Sequence, residues 1–184
     1  MSVQPTHQSN PELGAETVSK SADPGLIRVA ERLANTLQRD ALVQETADHL
    51  QRSLQVDRVA LYYFYSQWQG QVTFEAVSDA SFSILGSTGA DDCFNADYAE
   101  LYLAGRICAI SDIEQASIHD CHRDFLSSLS VRANLVVPIL TRRGLWGLLA
   151  IHHCQAPRVW STTEIATVEA GAATLATAPA IQGS

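Results

Sequence analysis

The chain has 184 residues, of which 46% are hydrophobic, and this is enough for one domain with a real core. Its 12 basic and 20 acidic side chains give a net charge of −8, which disfavours nonspecific binding to nucleic acid or anionic membranes. No window reaches the roughly 18 consecutive apolar residues of a membrane span, and the N-terminus lacks the pattern of a secretory signal. We therefore expect a cytoplasmic protein whose four cysteines are thiols unless a function commits them.

The N-terminal part of the chain divides into a leader and two helices. Residues 1–22 are rich in Ser, Gln, Pro and Thr without periodicity, which predicts a disordered leader. Asp23 and Pro24 resemble an N-cap and first helical residue, and apolar residues then recur at spacings of three and four as far as Leu37. A second helical pattern covers residues 42–54.

Strand patterns begin after the second helix. Residues 59–78 are rich in β-branched and aromatic residues around a turn, and they predict a β-hairpin. Residues 79–105 predict a loop with a short helix at its end, which Gly105 would close. A strand is then expected in residues 107–113, and a helix in residues 119–129.

The C-terminal half contains a second hairpin and a last helix. The strongly apolar runs 133–140 and 144–154 are expected to pair as antiparallel strands at the centre of the sheet. Pro138 indicates a bulge or a local edge in the first of them, because proline cannot donate to the ladder. A helix rich in alanine follows from Thr163 to about Ala178, and Pro179 should end or kink it.

This order of elements predicts an α+β domain from residue 23 to residue 180, with residues 181–184 as a tail. Its core would be an antiparallel sheet of about five to six strands. Helices would cover one face, while ligand-binding loops and short helices would cover the other. No internal repeat is visible in the sequence.

The cysteines carry the most distinctive chemistry. Cys121 and His122 lie near the start of a predicted helix, where an adjacent imidazole and the helix N-terminus favour a nucleophilic thiolate. On this dipeptide alone, a packed structural cysteine is the simpler interpretation. Cys93 follows two aspartates in the loop region and is weak evidence by itself. Cys93, Cys108, Cys121 and His122 could nominally bind zinc, but they lack the usual ligand spacings, so no metal site is expected.

Other candidate residues lie near the predicted ligand face. Arg106 precedes the strand at residues 107–113 and could bind a carboxylate, although a solvated surface arginine is the more common outcome. His152 and His153 end the last strand, so one faces the core side and the other faces away. A structural histidine is the default for both.

From about Leu26 to Ala178 the chain resembles the GAF domains of cyanobacteriochromes, which are photoreceptors of the phytochrome superfamily. The resemblance rests on six blocks that occur in the family's order and spacing. They are Asp57-Arg58-Val59, GRICAISDI, DCHRDFL, RANLVVPIL, LWGLLAIHHC and APRVW.

The resemblance implies a linear tetrapyrrole cofactor, phycocyanobilin or phycoviolobilin, attached by a thioether to Cys121. His122 would lie against the central pyrroles, and Arg106 would bind a propionate of the pigment. The segment from Asp91 to Phe94 matches the Asp-X-Cys-Phe motif of one subgroup. In that subgroup the second cysteine, here Cys93, adds reversibly to the central methine bridge and produces a blue-absorbing state.

Asp91 is the acidic residue of this motif, and the resemblance implies that it would accept hydrogen bonds from the pyrrole N–H groups. Further expected pocket residues are Phe94, Tyr102, Asn134 and His152. The chain departs from the family pattern at Glu114, where the family often has tyrosine, so a carboxylate is expected in place of a pocket contact. It departs again at Tyr63, where an arginine is usual.

The function implied by the resemblance is light sensing by reversible Z/E isomerisation, and not turnover. The terminal helices would pass the signal to a partner or a fused output domain and could form a homodimer. One alternative is an enzyme, a GAF-type reductase of free methionine sulfoxide, which would form a catalytic disulfide among its cysteines. Another is a GAF module without pigment that binds a small ligand or mediates dimerisation.

Overall fold

The structure is a computed structural model that describes residues 23–66, 69–89 and 96–184, and for residues 96–99 it describes the backbone alone. The helices are α1 (Pro24–Leu37), α2 (Ala41–Leu54), α3 (Ala96–Leu103), α4 (Asp120–Ser128), α5 (Thr162–Leu175) and α6 (Pro179–Gln182). The strands are β1 (Arg58–Ser66), β2 (Gln69–Val77), β3 (Cys108–Ile110), β4 (Ala133–Thr141) and β5 (Gly144–His153). A single 3-10 turn spans Ala80–Phe82. The predicted leader lies outside the described residues.

The described strands form one antiparallel sheet in the order β2-β1-β5-β4-β3, which confirms the predicted α+β class and the two hairpins. Strand β3 is shorter than predicted because the Asp112 carboxylate accepts from the backbone N–H of Glu114 and turns the chain. The short β3 pairs only with Asn134 to Val136 of β4. Pro138 therefore lies on a stretch of β4 that β3 does not cover, as the sequence predicted.

The N-terminal helix begins where its capping signal predicts. The Asp23 carboxylate accepts from the backbone N–H of Gly25 at 2.7 Å, and Pro24 occupies the first helical position. The second helix is capped in the same way by Asp40, which accepts from Leu42 at 3.0 Å. The other Asp40 oxygen accepts from the backbone N–H of Ala180 at 2.8 Å.

The last residues are folded against the domain, although the sequence favoured a tail for residues 181–184. Ile181 is 1% exposed and belongs to the main core. The Trp146 indole N–H donates to the Ser184 hydroxyl at 2.7 Å. Pro179 follows the end of α5 and begins the short helix α6, which fits the predicted break in the helix.

The two faces of the sheet have different partners. Alternate residues such as Leu61, Leu135, Leu149 and Ile151 are fully buried in the main core together with side chains of α1, α2 and α5. The residues between them, among them Ala60, face the opposite side. Because strand side chains alternate between faces, one face builds the core and the other is left for the loops, α3 and α4.

Candidate functional site

A cavity lies on the face of the sheet opposite the main core. Its floor comes from β1, β2, β4 and β5, and its walls come from α4, from Tyr102 of α3 and from the segment 84–89. The walls enclose about 680 Å³ of atom-free space, part of it open to solvent, and a water-sized sphere can be centred in about 80 Å³ of this. The smaller of these volumes lies well below the roughly 300–1,000 Å³ of small-molecule sites, so the cleft is narrow.

Three polar side chains form a row across this face of the sheet. The strand registers pair Arg58 of β1 with His152 of β5, and His152 with Asn134 of β4. Directly paired residues on adjacent strands project to the same face, so the three are neighbours. Their exposed fractions are only 1%, 4% and 2%, respectively. His152 and Asn134 line the cavity, and Arg58 lies beside it.

Arg58 is a buried cation whose hydrogen bonds reach three parts of the domain. Its Nε donates to His152 Nδ1 at 2.9 Å, its Nη2 donates to the Leu129 carbonyl at 2.9 Å, and its Nη1 donates to the Phe82 carbonyl. Burial lowers the pKa of Arg58 from its ordinary value, and nearby acidic groups oppose that effect. Burial, followed by the charge of Arg58, holds the pKa of His152 well below 6.5. His152 is therefore a neutral ring at physiological pH.

Asn134 has an amide oxygen without a donor. Its Oδ1 is out of reach of solvent and accepts no hydrogen bond from the part of the chain that the structure describes. Such an orphaned buried acceptor is rare in folded proteins and costs about 1–3 kcal/mol. Asn134 lines the cavity, so the N–H group of a ligand bound there could satisfy this oxygen.

Helix α4 forms a wall of the cavity through His122, Phe125 and Leu126. Arg123 fastens this helix to the preceding loop, because its Nε donates to the Ile113 carbonyl at 3.0 Å and its Nη2 to the Ala116 carbonyl at 2.9 Å. His122 is half-buried, and burial lowers its pKa below 6.5. The imidazole in the wall is thus neutral near pH 7.

Tyr62 connects the floor of the cavity to the segment 84–89. Its hydroxyl donates to the Gly70 carbonyl at 2.7 Å and accepts from the backbone N–H of Gly89 at 2.9 Å. A Cβ at Gly89 would lie 2.7 Å from this hydroxyl, so the close approach requires glycine. Tyr62 therefore fixes the chain two residues before Asp91.

A comparison with protein-family models identifies the family to which this fold belongs. The family model described as "GAF domain" matches residues 38–178. The chain belongs to the GAF domain family. This match covers the whole of the described sheet and α5, and thus every described strand that contributes to the cavity.

Two relatives contain this GAF domain in proteins of very different length. An uncharacterized protein of Picosynechococcus is 53% identical over 154 residues, which are 84% of this chain and 94% of that protein. A putative methyl-accepting chemotaxis protein of Synechocystis is 37% identical over 134 residues, which are 73% of this chain but 13% of that protein. The same domain thus occurs as most of a small protein and as a small part of a long one.

Solved structures of a cyanobacteriochrome are similar to this GAF domain. The blue-light absorbing form of the Thermosynechococcus elongatus PixJ GAF domain has a TM-score of 0.64 and 31% identity, with 85% of this chain and 90% of that chain covered. The cyanobacteriochrome TePixJ GAF domain has a TM-score of 0.61 and 33% identity, with coverages of 84% and 92%. These two solved structures are photoreceptor GAF domains.

The sequence-predicted residues of this GAF domain fall into three groups. His122, Tyr102, Asn134 and His152 line the cavity. Asp91, Cys93 and Phe94 lie outside the described residues. Arg106 is half-buried and follows Gly105, whose φ is +86°, but it is not among the described residues that line the cavity.

The three described cysteines of the GAF domain differ in state. Cys121 is the second residue of α4, half-buried and directly before the wall residue His122, and it is disulfide-bonded in the structure. It therefore departs from the expectation of a thiol. Cys108 and Cys154 are free, as expected, and burial raises the pKa of both thiols. A raised pKa makes these two poor nucleophiles at neutral pH.

The two departures from the family pattern both point away from the cavity. The side chain of Glu114 is 59% exposed and pairs with Arg132, so the carboxylate that stands at the family's tyrosine position makes no contact with the described cavity. Arg132 also pairs with Asp112 at 3.0 Å, and this network draws Glu114 outward. Tyr63 packs against Trp146 with ring centroids 5.1 Å apart, on the side of the main core.

Sequence reasoning missed three residues that shape the site, namely Arg58, Tyr62 and Arg123. Arg58 had one available signal, since it is a charged residue at the start of a strand whose next residues are all apolar. The partners of Tyr62 and Arg123 are largely backbone groups, which carry no sequence signal. Among the described residues, no cluster of acidic, histidine or cysteine side chains could hold a metal ion. Nor is any described helix long and apolar enough to span a membrane.

Proposed function

We propose that this GAF domain is a photoreceptor that binds a linear tetrapyrrole in the cavity and attaches it covalently to Cys121. The observation that carries the proposal is the position of the Cys121-His122 pair. His122 lines an otherwise mainly apolar cavity, and Cys121 precedes it on the first turn of α4. The similarity to the GAF domain of a cyanobacteriochrome supports the same assignment.

The cavity supports this class of ligand through its chemistry. A tetrapyrrole is a flat conjugated molecule with apolar faces, N–H donors in its rings and carbonyl acceptors at both ends. The cavity offers apolar side chains such as Val136 and Leu148, together with the amide of Asn134 and the ring of His152. The cleft must widen to admit four rings, and the side chains of α4 and of segment 84–89 are the walls that would move.

Attachment is an addition in which the Cys121 sulfur forms a bond to a carbon of the pigment's A-ring side chain. One carbon–carbon double bond is lost, and the adjacent carbon takes up a proton, so no oxidant is consumed. The reaction requires the thiol form, and a thiol reductant must first open the disulfide at Cys121.

Cys93 is proposed to form the second, reversible linkage, with Asp91 accepting from pyrrole N–H groups and Phe94 lining the pocket. Arg106 is proposed to bind a propionate. The anchoring of Gly89 by Tyr62 supports the proposal for Cys93, because it fixes where this segment leaves the sheet. The bound pigment would be phycocyanobilin or phycoviolobilin, and the second linkage would give a blue-absorbing state.

Signalling is proposed to follow Z/E isomerisation of the pigment. Light supplies the energy, and the protein supplies orientation and electrostatic tuning. The rearranged contacts would bias the terminal helices α1 and α5, which pack on the opposite face of the sheet. A homodimer through these helices, or an output domain in the longer protein, would receive the signal.

The test is coexpression of the full chain with enzymes that make phycocyanobilin, followed by purification under reducing conditions. We expect a coloured protein, zinc-induced fluorescence of the denatured band, and reversible absorbance changes under alternating light. Cys121→Ala should lose the fluorescent band. Cys108→Ala is the matched control and should retain it, because the thiol of Cys108 has a raised pKa.

Cys93→Ala tests the second linkage separately, and it should keep the pigment while losing the blue-absorbing state. A colourless wild-type protein would refute the photoreceptor proposal. An unchanged spectrum in Cys93→Ala would refute the second linkage alone.

A further inference from the structure

The geometry around Arg58 determines which ring nitrogen of His152 can carry a proton. Arg58 Nε lies 2.9 Å from His152 Nδ1. A guanidinium N–H can only donate, so Nδ1 must be the acceptor and must have no hydrogen. A neutral imidazole has one N–H, which places the hydrogen of His152 on Nε2.

His152 Nε2 is the nitrogen that remains for a ligand. His152 lines the cavity, and in the described part of the protein its side chain makes no hydrogen bond other than that with Arg58. The floor of the cavity therefore presents an N–H donor at this point. It would offer an acceptor instead if the tautomer were reversed.

Arg58 itself is not placed to bind the ligand. It is 1% exposed, and it is not among the described residues that line the cavity. Its other two hydrogen bonds go to the carbonyls of Phe82 and Leu129. Leu129 is the C-cap of α4, where a positive charge is favourable because the helix dipole is negative. Arg58 thus joins the floor of the cavity to the wall helix that carries Cys121.

We propose that Arg58 is a positioning residue of this site, which fixes the hydrogen of His152 on Nε2. The tautomer does not rest on the proposed function, whereas its effect on a bound pigment does. Loss of the Arg58 donor frees Nδ1 to take the hydrogen, and a ligand carbonyl then faces a nitrogen lone pair.

The first test needs no pigment. The full chain is labelled with 15N-histidine, and long-range 1H–15N correlation spectra are recorded at pH 7.5, with His152 assigned by its loss in His152→Gln. In the wild type we expect a protonated Nε2 and an unprotonated Nδ1. Arg58→Met should populate the opposite tautomer. Arg58→Lys keeps a cationic donor and should restore the wild-type pattern.

These variants distinguish a positioning role of Arg58 from a contribution to overall stability alone. Neither Met nor Lys can reproduce the forked bonds to Phe82 and Leu129, so both should lower the thermal midpoint. Only Arg58→Met should change the tautomer. If Arg58→Met does not fold, the spectra of the wild type and of Arg58→Lys still show whether a cationic donor at this position keeps the hydrogen on Nε2. A hydrogen on Nδ1 in the wild type would overturn the proposal.

The second test uses the pigmented protein in a double-mutant cycle. Arg58→Met should shift the absorption maximum in the wild-type background and leave it unchanged in the His152→Gln background. Equal shifts in both backgrounds would show that Arg58 does not act through His152 and would overturn the proposal. A colourless wild type would defeat the proposed function while leaving the tautomer result standing.

Discussion

The most direct prediction concerns the buried amide oxygen of Asn134, which accepts no hydrogen bond from the described residues. Replacing this side chain should raise the stability of the ligand-free protein and weaken ligand binding. Asn134→Leu replaces a polar side chain that is 2% exposed by an apolar one of similar size. The register places Asn134 between Ile110 of β3 and His152 of β5, next to the apolar floor of the cavity. The substitution therefore removes an acceptor with no donor and leaves no partner unpaired.

The expected gain follows from the environment of the oxygen. An unsatisfied buried polar group costs about 1–3 kcal/mol, and replacing it by an apolar group removes that cost. We expect the ligand-free variant to gain about 2 kcal/mol in free energy of unfolding. For a domain of this size each kcal/mol raises the midpoint by about 2–4 °C, so the thermal midpoint should rise by about 4–8 °C.

Urea unfolding of the ligand-free protein, followed by circular dichroism, measures this change. Thr73→Val is the matched control, since Thr73 is also fully buried but its hydroxyl donates to the Leu61 carbonyl at 3.4 Å. The control should be neutral or lose up to about 1 kcal/mol. With pigment bound, the wild type should instead be more stable than Asn134→Leu. The reason is that Asn134→Leu should bind the pigment more weakly.

The reasoning fails if Asn134→Leu destabilises the ligand-free protein while Thr73→Val behaves as expected. That result would mean that the amide has a partner in solution. Stabilisation without any loss of pigment affinity would show that Asn134 is not a ligand contact.

Three further predictions concern the walls and floor of the cavity. Arg123→Met should cost about 2–3 kcal/mol in urea unfolding, because it removes two charge-assisted bonds to carbonyls, whereas Asp120→Asn removes only an exposed ion pair and should cost under about 0.5 kcal/mol. His152 has a folded pKa below its unfolded value of about 6.5, so the unfolded chain takes up the proton first as pH falls. Stability should then drop by about 1.4 kcal/mol per pH unit below 6.5, and His152→Gln should remove that part of the slope. Tyr62→Phe should release Gly89 and lower the fraction of pigmented protein that reaches the blue-absorbing state, as read from difference spectra.

Each of these predictions has an outcome that contradicts it. Equal losses in Arg123→Met and Asp120→Asn would mean that the carbonyl bonds do not hold α4. The same acid slope in His152→Gln and wild type would assign the slope to other groups, among them His122, whose pKa is also lowered. Full photoconversion in Tyr62→Phe would show that the second linkage does not need the hydrogen bond between Tyr62 and Gly89.

The elements that sequence predicted well are those with local causes. The first helix begins at Pro24 because Asp23 caps it, and the uncovered stretch at Pro138 follows from the missing N–H of proline. His122, to which the family resemblance gave a place in the pocket, lines the cavity together with Phe125 and Leu126 of the same helix.

The parts that sequence could not predict depend on contacts between distant residues. The partners of Arg58 are Phe82, Leu129 and His152, which are 24, 71 and 94 residues away along the chain. No pattern of spacing identifies such a set. The outward direction of Glu114 also depends on a distant residue, because its carboxylate pairs with Arg132.

The two faces of the sheet follow different physical rules, and the difference indicates where a ligand belongs. The core face carries side chains such as Leu135 and Leu149, which are fully buried in apolar contacts. The cavity face combines a buried cation, a neutral histidine and an orphaned amide, and burying such groups costs free energy wherever partners do not satisfy them. Unfavourable groups that share one row of a sheet are hard to explain as packing. They are expected where a polar ligand completes the hydrogen bonds, and the Asn134 and His152 variants test that completion directly.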